Sequence, residues 1–107
     1  MGSVPEVSVG ELDSRLRGSD PPLVLDVREP WELAIAKLPG TLDIPMNQVP
    51  ARIAELPKDR EIVVMCLAGG RSLKVAEYLN RTGFRASNLT GGIRAWAQDI
   101  DPTMKTY

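Results

Sequence analysis

Ile62-Val63-Val64-Met65-Cys66-Leu67-Ala68-Gly69-Gly70-Arg71-Ser72 is the stretch on which the fold reading turns. Its first four residues are apolar and largely β-branched, the pattern of a strand covered on both faces. Beyond the two glycines, Leu73, Val75, Ala76, Tyr78 and Leu79 recur at helical spacing until Gly83 ends the run. The single cysteine of the chain therefore sits between a strand and a helix.

Working outward, the same alternation repeats. Ser8 and Glu11 have the form of a capping box ahead of Leu12 and Leu16, which predicts a first short helix. Leu23 to Val27, bounded by the Pro21-Pro22 pair, reads as a second buried strand. Pro30 opens a helix through about Ala36, and Pro39-Gly40 turns the chain into a short strand at Leu42-Asp43-Ile44. Asn47 caps an expected helix reaching about Leu56, with Pro50 in its first turn. Ala86 to Leu89 forms one more strand, and Gly91-Gly92 opens a last short helix through about Ala97. Strands alternating with helices imply a mostly parallel α/β sheet, whose sites gather at the carboxyl ends of its strands, where Cys66 lies.

Length and composition set limits. The 107 residues suit one domain spanning 1–107, with a core over about 7–97 and a loosely held start and tail. No run approaches a membrane span, and no basic-then-apolar leader opens the chain, so a cytoplasmic setting is expected. Met1-Gly2 invites a myristoylation reading, but Glu6 stands where that pattern needs Ser or Thr. Thirteen basic and 14 acidic side chains leave a net charge of -1 with no basic cluster, which argues against nucleic acid as a partner. With one cysteine and no histidine, a Ser-His-Asp triad, a Cys-His pair, an internal disulfide and a His- or Cys-based zinc site are all excluded. No metal or cofactor is expected.

A nucleophilic cysteine must then be activated without an imidazole. Glycines let the chain curl so that successive N–H groups point inward, while a helix N-terminus and Arg71 favour negative charge at the centre. Leu67, Ala68, Gly69, Gly70 and Arg71 are thus the candidate cradle for an anion formed at Cys66. A free thiol with a pKa of about 8.5 is only a few per cent ionised at pH 7, and a drop of about two makes thiolate the major form. A low-pKa thiolate is also a good leaving group, so one loop serves both halves of a transfer reaction. A lone cysteine is by default a small buried hydrophobe; the Gly-Gly-Arg context argues against that default here. A cation at a helix start opposes the dipole, so Arg71 also asks for an anionic neighbour.

Three segments together resemble the rhodanese homology family: Leu25-Asp26-Val27-Arg28-Glu29 with Trp31-Glu32, then Cys66 to Ser72, then Asn88-Leu89-Thr90-Gly91-Gly92-Ile93 with Ala95-Trp96. The likeness runs from about Val7 to about Trp96. It implies an α/β rhodanese-like fold, a five-stranded, mainly parallel sheet flanked by helices on both faces. It also implies that Cys66 is the catalytic, persulfide-forming residue of a sulfurtransferase, moving a sulfane sulfur from thiosulfate or a persulfide to a thiol acceptor. Asp26, Arg28 and Ser72 are then expected to support the loop by polar contacts, and Trp31 and Trp96 to serve packing.

The sequence departs from relatives at Ala36-Lys37-Leu38-Pro39-Gly40, where Gly-His-Ile-Pro-Gly is common, and at Leu67-Ala68, where many members place a basic residue and a hydroxyl. The second departure predicts weak side-chain binding of thiosulfate and favours a persulfide donor. The tail from Ala95 to Pro102, with Tyr107, resembles rhodanese domains fused to adenylating enzymes, which suggests a sulfur-carrier or sulfur-relay protein as partner. Two rival functions carry distinct signatures. Cysteine-dependent phosphatases of this fold hold five residues between Cys and Arg, against the four here, Leu67 to Gly70. Noncatalytic binding modules of the fold often lack the cysteine that this chain keeps.

Overall fold

The computed structural model describes residues 4–107, so the Met1-Gly2 pattern lies outside the described residues. Among these residues five strands and four α-helices follow in chain order: β1 (Glu6–Val7), α1 (Val9–Leu16), β2 (Leu23–Asp26), α2 (Pro30–Ile35), β3 (Leu42–Asp43), β4 (Ile62–Met65), α3 (Gly70–Arg81), β5 (Ala86–Leu89) and α4 (Gly92–Asp99). The five strands form one sheet in the order β1-β5-β4-β2-β3, and every pairing is parallel. At its centre Leu25 pairs with Val64 and Val64 with Asn88.

Strand periodicity sorts the core into two layers. Leu25, Val27, Ile62, Val64 and Cys66 pack with Val75, Ala76 and Leu79 of α3. Val24, Val63 and Met65 face the other way, against Leu12 of α1 and Ile93 and Trp96 of α4. Cys66 continues the alternation of β4 for one more residue, which turns its side chain toward α3.

Element identity follows the sequence reading, with ends moved by a residue or so. Ser8 caps α1 by accepting from the Glu11 N–H at 3.1 Å. The expected helix from Asn47 to Leu56 is replaced by two 3-10 turns, Met46–Gln48 and Ile53–Glu55. Pro50 has no N–H to continue an α-ladder, and the segment closes on short-range bonds such as Val49 N–H to Met46 C=O. Two residues, Glu6 and Val7, form an edge strand that no periodicity could announce. Trp31, expected to serve packing, meets the Tyr107 ring edge-on from a position 62% exposed, whereas Trp96 is buried. The segment after α4, expected to be loosely held, brings the Tyr107 hydroxyl within hydrogen-bonding distance of both Arg28 and Glu32.

The end of β2 carries a fully buried ion pair, Asp26 with Arg28, at 2.8 Å. Every N–H of Arg28 has a partner: Nε and Nη2 donate to Asp26, Nη2 also to the Ala36 carbonyl at 2.9 Å, and Nη1 to the Glu32 carbonyl and the Tyr107 oxygen. A buried pair adds little net stability, but removing one member strands the other charge. Asp26→Asn is expected to destabilise the fold by about 3–5 kcal/mol, measured by urea denaturation.

Candidate active site

Cys66 follows β4 directly and is buried, 2% exposed. Its Sγ accepts from the Gly69 N–H at 3.1 Å and the Ser72 N–H at 3.4 Å, and lies 3.3 Å from the Ser72 hydroxyl. Gly69, at φ +114°, reverses the chain at the start of α3, a conformation that L side chains rarely adopt. Burial pushes the thiol pKa up, but hydrogen bonds from Ser72, Gly69 and Ala68 outweigh it, and the result lies below the ordinary thiol value. The N-terminus of α3, a helix of 12 residues, points the same way.

The loop is held from below by α4. Ile93 N–H donates to the Cys66 carbonyl at 2.9 Å and Arg94 N–H to that of Leu67 at 3.0 Å. Gly92, at φ +59°, permits this approach, because a Cβ there would collide with both carbonyl groups.

Ser72, expected to act at one remove, touches the sulfur itself. Its hydroxyl has one proton and two claimants. Asn88 Oδ1 lies 2.6 Å away and accepts from it, because Asn88 Nδ2 is turned toward acceptors only, the Glu6 carboxylate and the Gly69 carbonyl. In the thiol form Cys66 therefore donates to the Ser72 oxygen. In the thiolate form the hydroxyl must turn to the sulfur and give up Asn88.

Arg71 finds its anionic neighbour within the protein. Its guanidinium forms a bidentate pair with Glu32, at 2.6 and 2.8 Å, and remains 37% exposed. The Arg71 hydrogen bonds, opposed by burial, pull the Glu32 pKa down to about 2. Glu32 also accepts from the Glu29 N–H at 2.9 Å and the Tyr107 hydroxyl at 2.7 Å. Asp26 and Arg28 make no hydrogen bond to residues 66–72; they brace α2, and their influence on the loop passes through Glu32. Leu67 is half-buried and Ala68 exposed, so the mouth of the cradle is apolar on that side.

Glu32, Asn88, Glu6 and Tyr107 were not among the expected site residues. For Glu32 a signal existed, since the charge of Arg71 demanded a counter-ion. The other three are brought in by tertiary contact. A groove bordered by Pro5, Glu61, Asn80 and Arg85 lies at the opposite ends of β4 and β5 and includes no loop residue.

A family model described as the rhodanese-like domain matches residues 8–99, and the chain belongs to that family. A protein named sulfurtransferase from Allochromatium vinosum is 41% identical over 89% of this chain and 90% of its own length. The crystal structure of a rhodanese-like domain protein from Staphylococcus aureus superposes with a TM-score of 0.86 at 32% identity, covering 97% of this chain and 99% of that one. The chain also matches a longer Zea mays protein named adenylyltransferase and sulfurtransferase, at 34% identity over 82% of this chain but only 20% of that protein.

The hydroxyl competition makes opposite predictions for two substitutions. Ser72→Ala removes a donor available to the thiolate and should raise the Cys66 pKa. Asn88→Ala frees the Ser72 hydroxyl for the sulfur and should lower it. The pH dependence of alkylation by iodoacetamide reads both. For Glu32 the folded-state pKa lies below the ordinary 4.5, so its contribution to stability is present above pH 4.5 and fades as pH falls toward 2. Melting temperatures taken between pH 5 and 3 should fall more steeply for the native chain than for Glu32→Gln.

Proposed function

We propose that the protein is a sulfurtransferase that carries sulfane sulfur as a Cys66 persulfide. The observation that carries this reading is the convergence of the Gly69 and Ser72 N–H groups on Sγ at the carboxyl end of a central parallel strand. The sulfurtransferase name of a relative matched over nearly its whole length supports it.

The reaction has two displacements. The Cys66 thiolate attacks the outer sulfur of a persulfide donor; a Cys66–sulfur bond forms, the donor's sulfur–sulfur bond breaks, and the donor leaves as a thiolate that takes a proton from water. An acceptor thiolate then attacks the outer sulfur of the Cys66 persulfide and releases the Cys66 thiolate. With thiosulfate as donor the group that leaves is sulfite. Neither step changes the overall oxidation level, so no further oxidant or reductant is needed. The N–H donors and the α3 terminus stabilise negative charge at Cys66 before and after each step.

Leu67 and Ala68 offer no charge or hydroxyl to a sulfonate, and Arg71 is already paired. A persulfide is therefore the favoured donor. With a single cysteine in the chain, the acceptor thiol belongs to another molecule. A sulfur-carrier or relay protein suits that requirement, as does the fused arrangement in the Zea mays relative. A thiol that must stay reduced suits a cytoplasmic setting.

Intact-mass spectrometry tests the proposal. Brief incubation with a low-molecular-weight persulfide should add one sulfur atom, removable by dithiothreitol and absent in Cys66→Ser, with a smaller yield from thiosulfate. No gain from either donor with Cys66 reduced would point instead to a noncatalytic binding module.

A further inference from the structure

Tyr107 lies 79 positions from Arg28 along the chain, yet its hydroxyl accepts from Arg28 Nη1 at 2.8 Å and donates to Glu32 Oε2 at 2.7 Å. Its ring meets Trp31 edge-on, with centroids 5.8 Å apart, and stands 5.9 Å from the Arg28 guanidinium carbon. Lys105, Thr106 and Tyr107 border a small crevice together with Leu67 of the loop and Arg94 of α4, so the tail passes beside the sulfur site. The phenol thus stands between a buried cation and a carboxylate that is shared with Arg71.

We propose that Glu32 and Tyr107 set donor specificity, by keeping the Arg71 guanidinium bound to an internal carboxylate and so withholding it from sulfur donors that carry an oxyanion group, as thiosulfate does. This rests on the sulfurtransferase reading of Cys66. Two cations, Arg28 and Arg71, flank one carboxylate. The phenol satisfies the buried Arg28 Nη1 with a neutral oxygen and gives its own proton to Glu32 Oε2, so the carboxylate pairs with Arg71 without competition from the Arg28 charge. Burial and the Glu32 carboxylate, against the opposing pull of Arg28, raise the Tyr107 pKa, which keeps the hydroxyl protonated as this geometry requires. Without the hydroxyl, Arg28 Nη1 is left with only the 3.5 Å contact to the Glu32 carbonyl and competes for the carboxylate, loosening Arg71. Glu32 and Tyr107 act through Arg71 and are positioning residues; the groups touching a donor are Cys66 and its loop.

The test compares kcat/KM for thiosulfate, a dianion, with that for 2-hydroxyethyl persulfide, which carries no carboxylate or sulfonate, in the native chain, Glu32→Gln and Tyr107→Phe. Both variants keep side-chain shape, and circular dichroism and melting temperature confirm folding. The thiosulfate-to-persulfide ratio is expected to rise about tenfold in Glu32→Gln and about threefold in Tyr107→Phe, most of it in KM for thiosulfate. A merely structural role would lower both donors together and leave the ratio unchanged; that result, or a falling ratio, overturns the inference while leaving the sulfurtransferase reading intact. A native chain that gains sulfur from neither donor overturns both.

Discussion

The guanidinium of Arg28 is fully buried, and a dry interior admits it only if all of its N–H groups are met. That requirement organises the face of the protein next to the sulfur site. Asp26 neutralises it from the end of β2, while the Glu32 and Ala36 carbonyls draw α2 and the residue after it over the guanidinium. The last donor reaches the Tyr107 oxygen, which docks the tail. Because Glu32 sits on α2, fixing that helix also fixes the carboxylate that holds Arg71. A buried charge that makes no hydrogen bond to the loop thus sets the position of the one cation in it.

The sulfur site balances opposing demands. Burial shields the Cys66 sulfur from water, yet disfavours its anion. Backbone N–H groups offset that cost without adding a counter-ion that a donor would have to displace. Arg71, the obvious candidate for such a counter-ion, is held in the service of Glu32, and the remaining adjustable group is the Ser72 hydroxyl, poised between sulfur and Asn88. Through Asn88 the site extends to Glu6 on the edge strand β1, so both termini of the described chain reach toward the same loop.

Much of this was legible from the amino-acid order alone. The β-branched run from Ile62 to Val64, the glycines after Cys66 and the helical spacing beyond them specify a strand-loop-helix unit through local sterics and periodicity, and local rules need no partner. The same rules located Cys66 at a strand end, and a composition without histidine excluded imidazole-based activation. They failed at Asn47 to Leu56, because the turn starts at Met46, with Pro45 as its cap, which puts Pro50 beyond the first turn, where the missing N–H stops an α-helix. What the tertiary structure alone decided is pairing across distance: Arg71 with Glu32, Ser72 with Asn88, Asn88 with Glu6, and Tyr107 with Arg28. Charge and hydrogen-bonding capacity can be counted along a chain, but which donor meets which acceptor depends on sheet order and helix placement. Those arise only when the two apolar layers close around the strands.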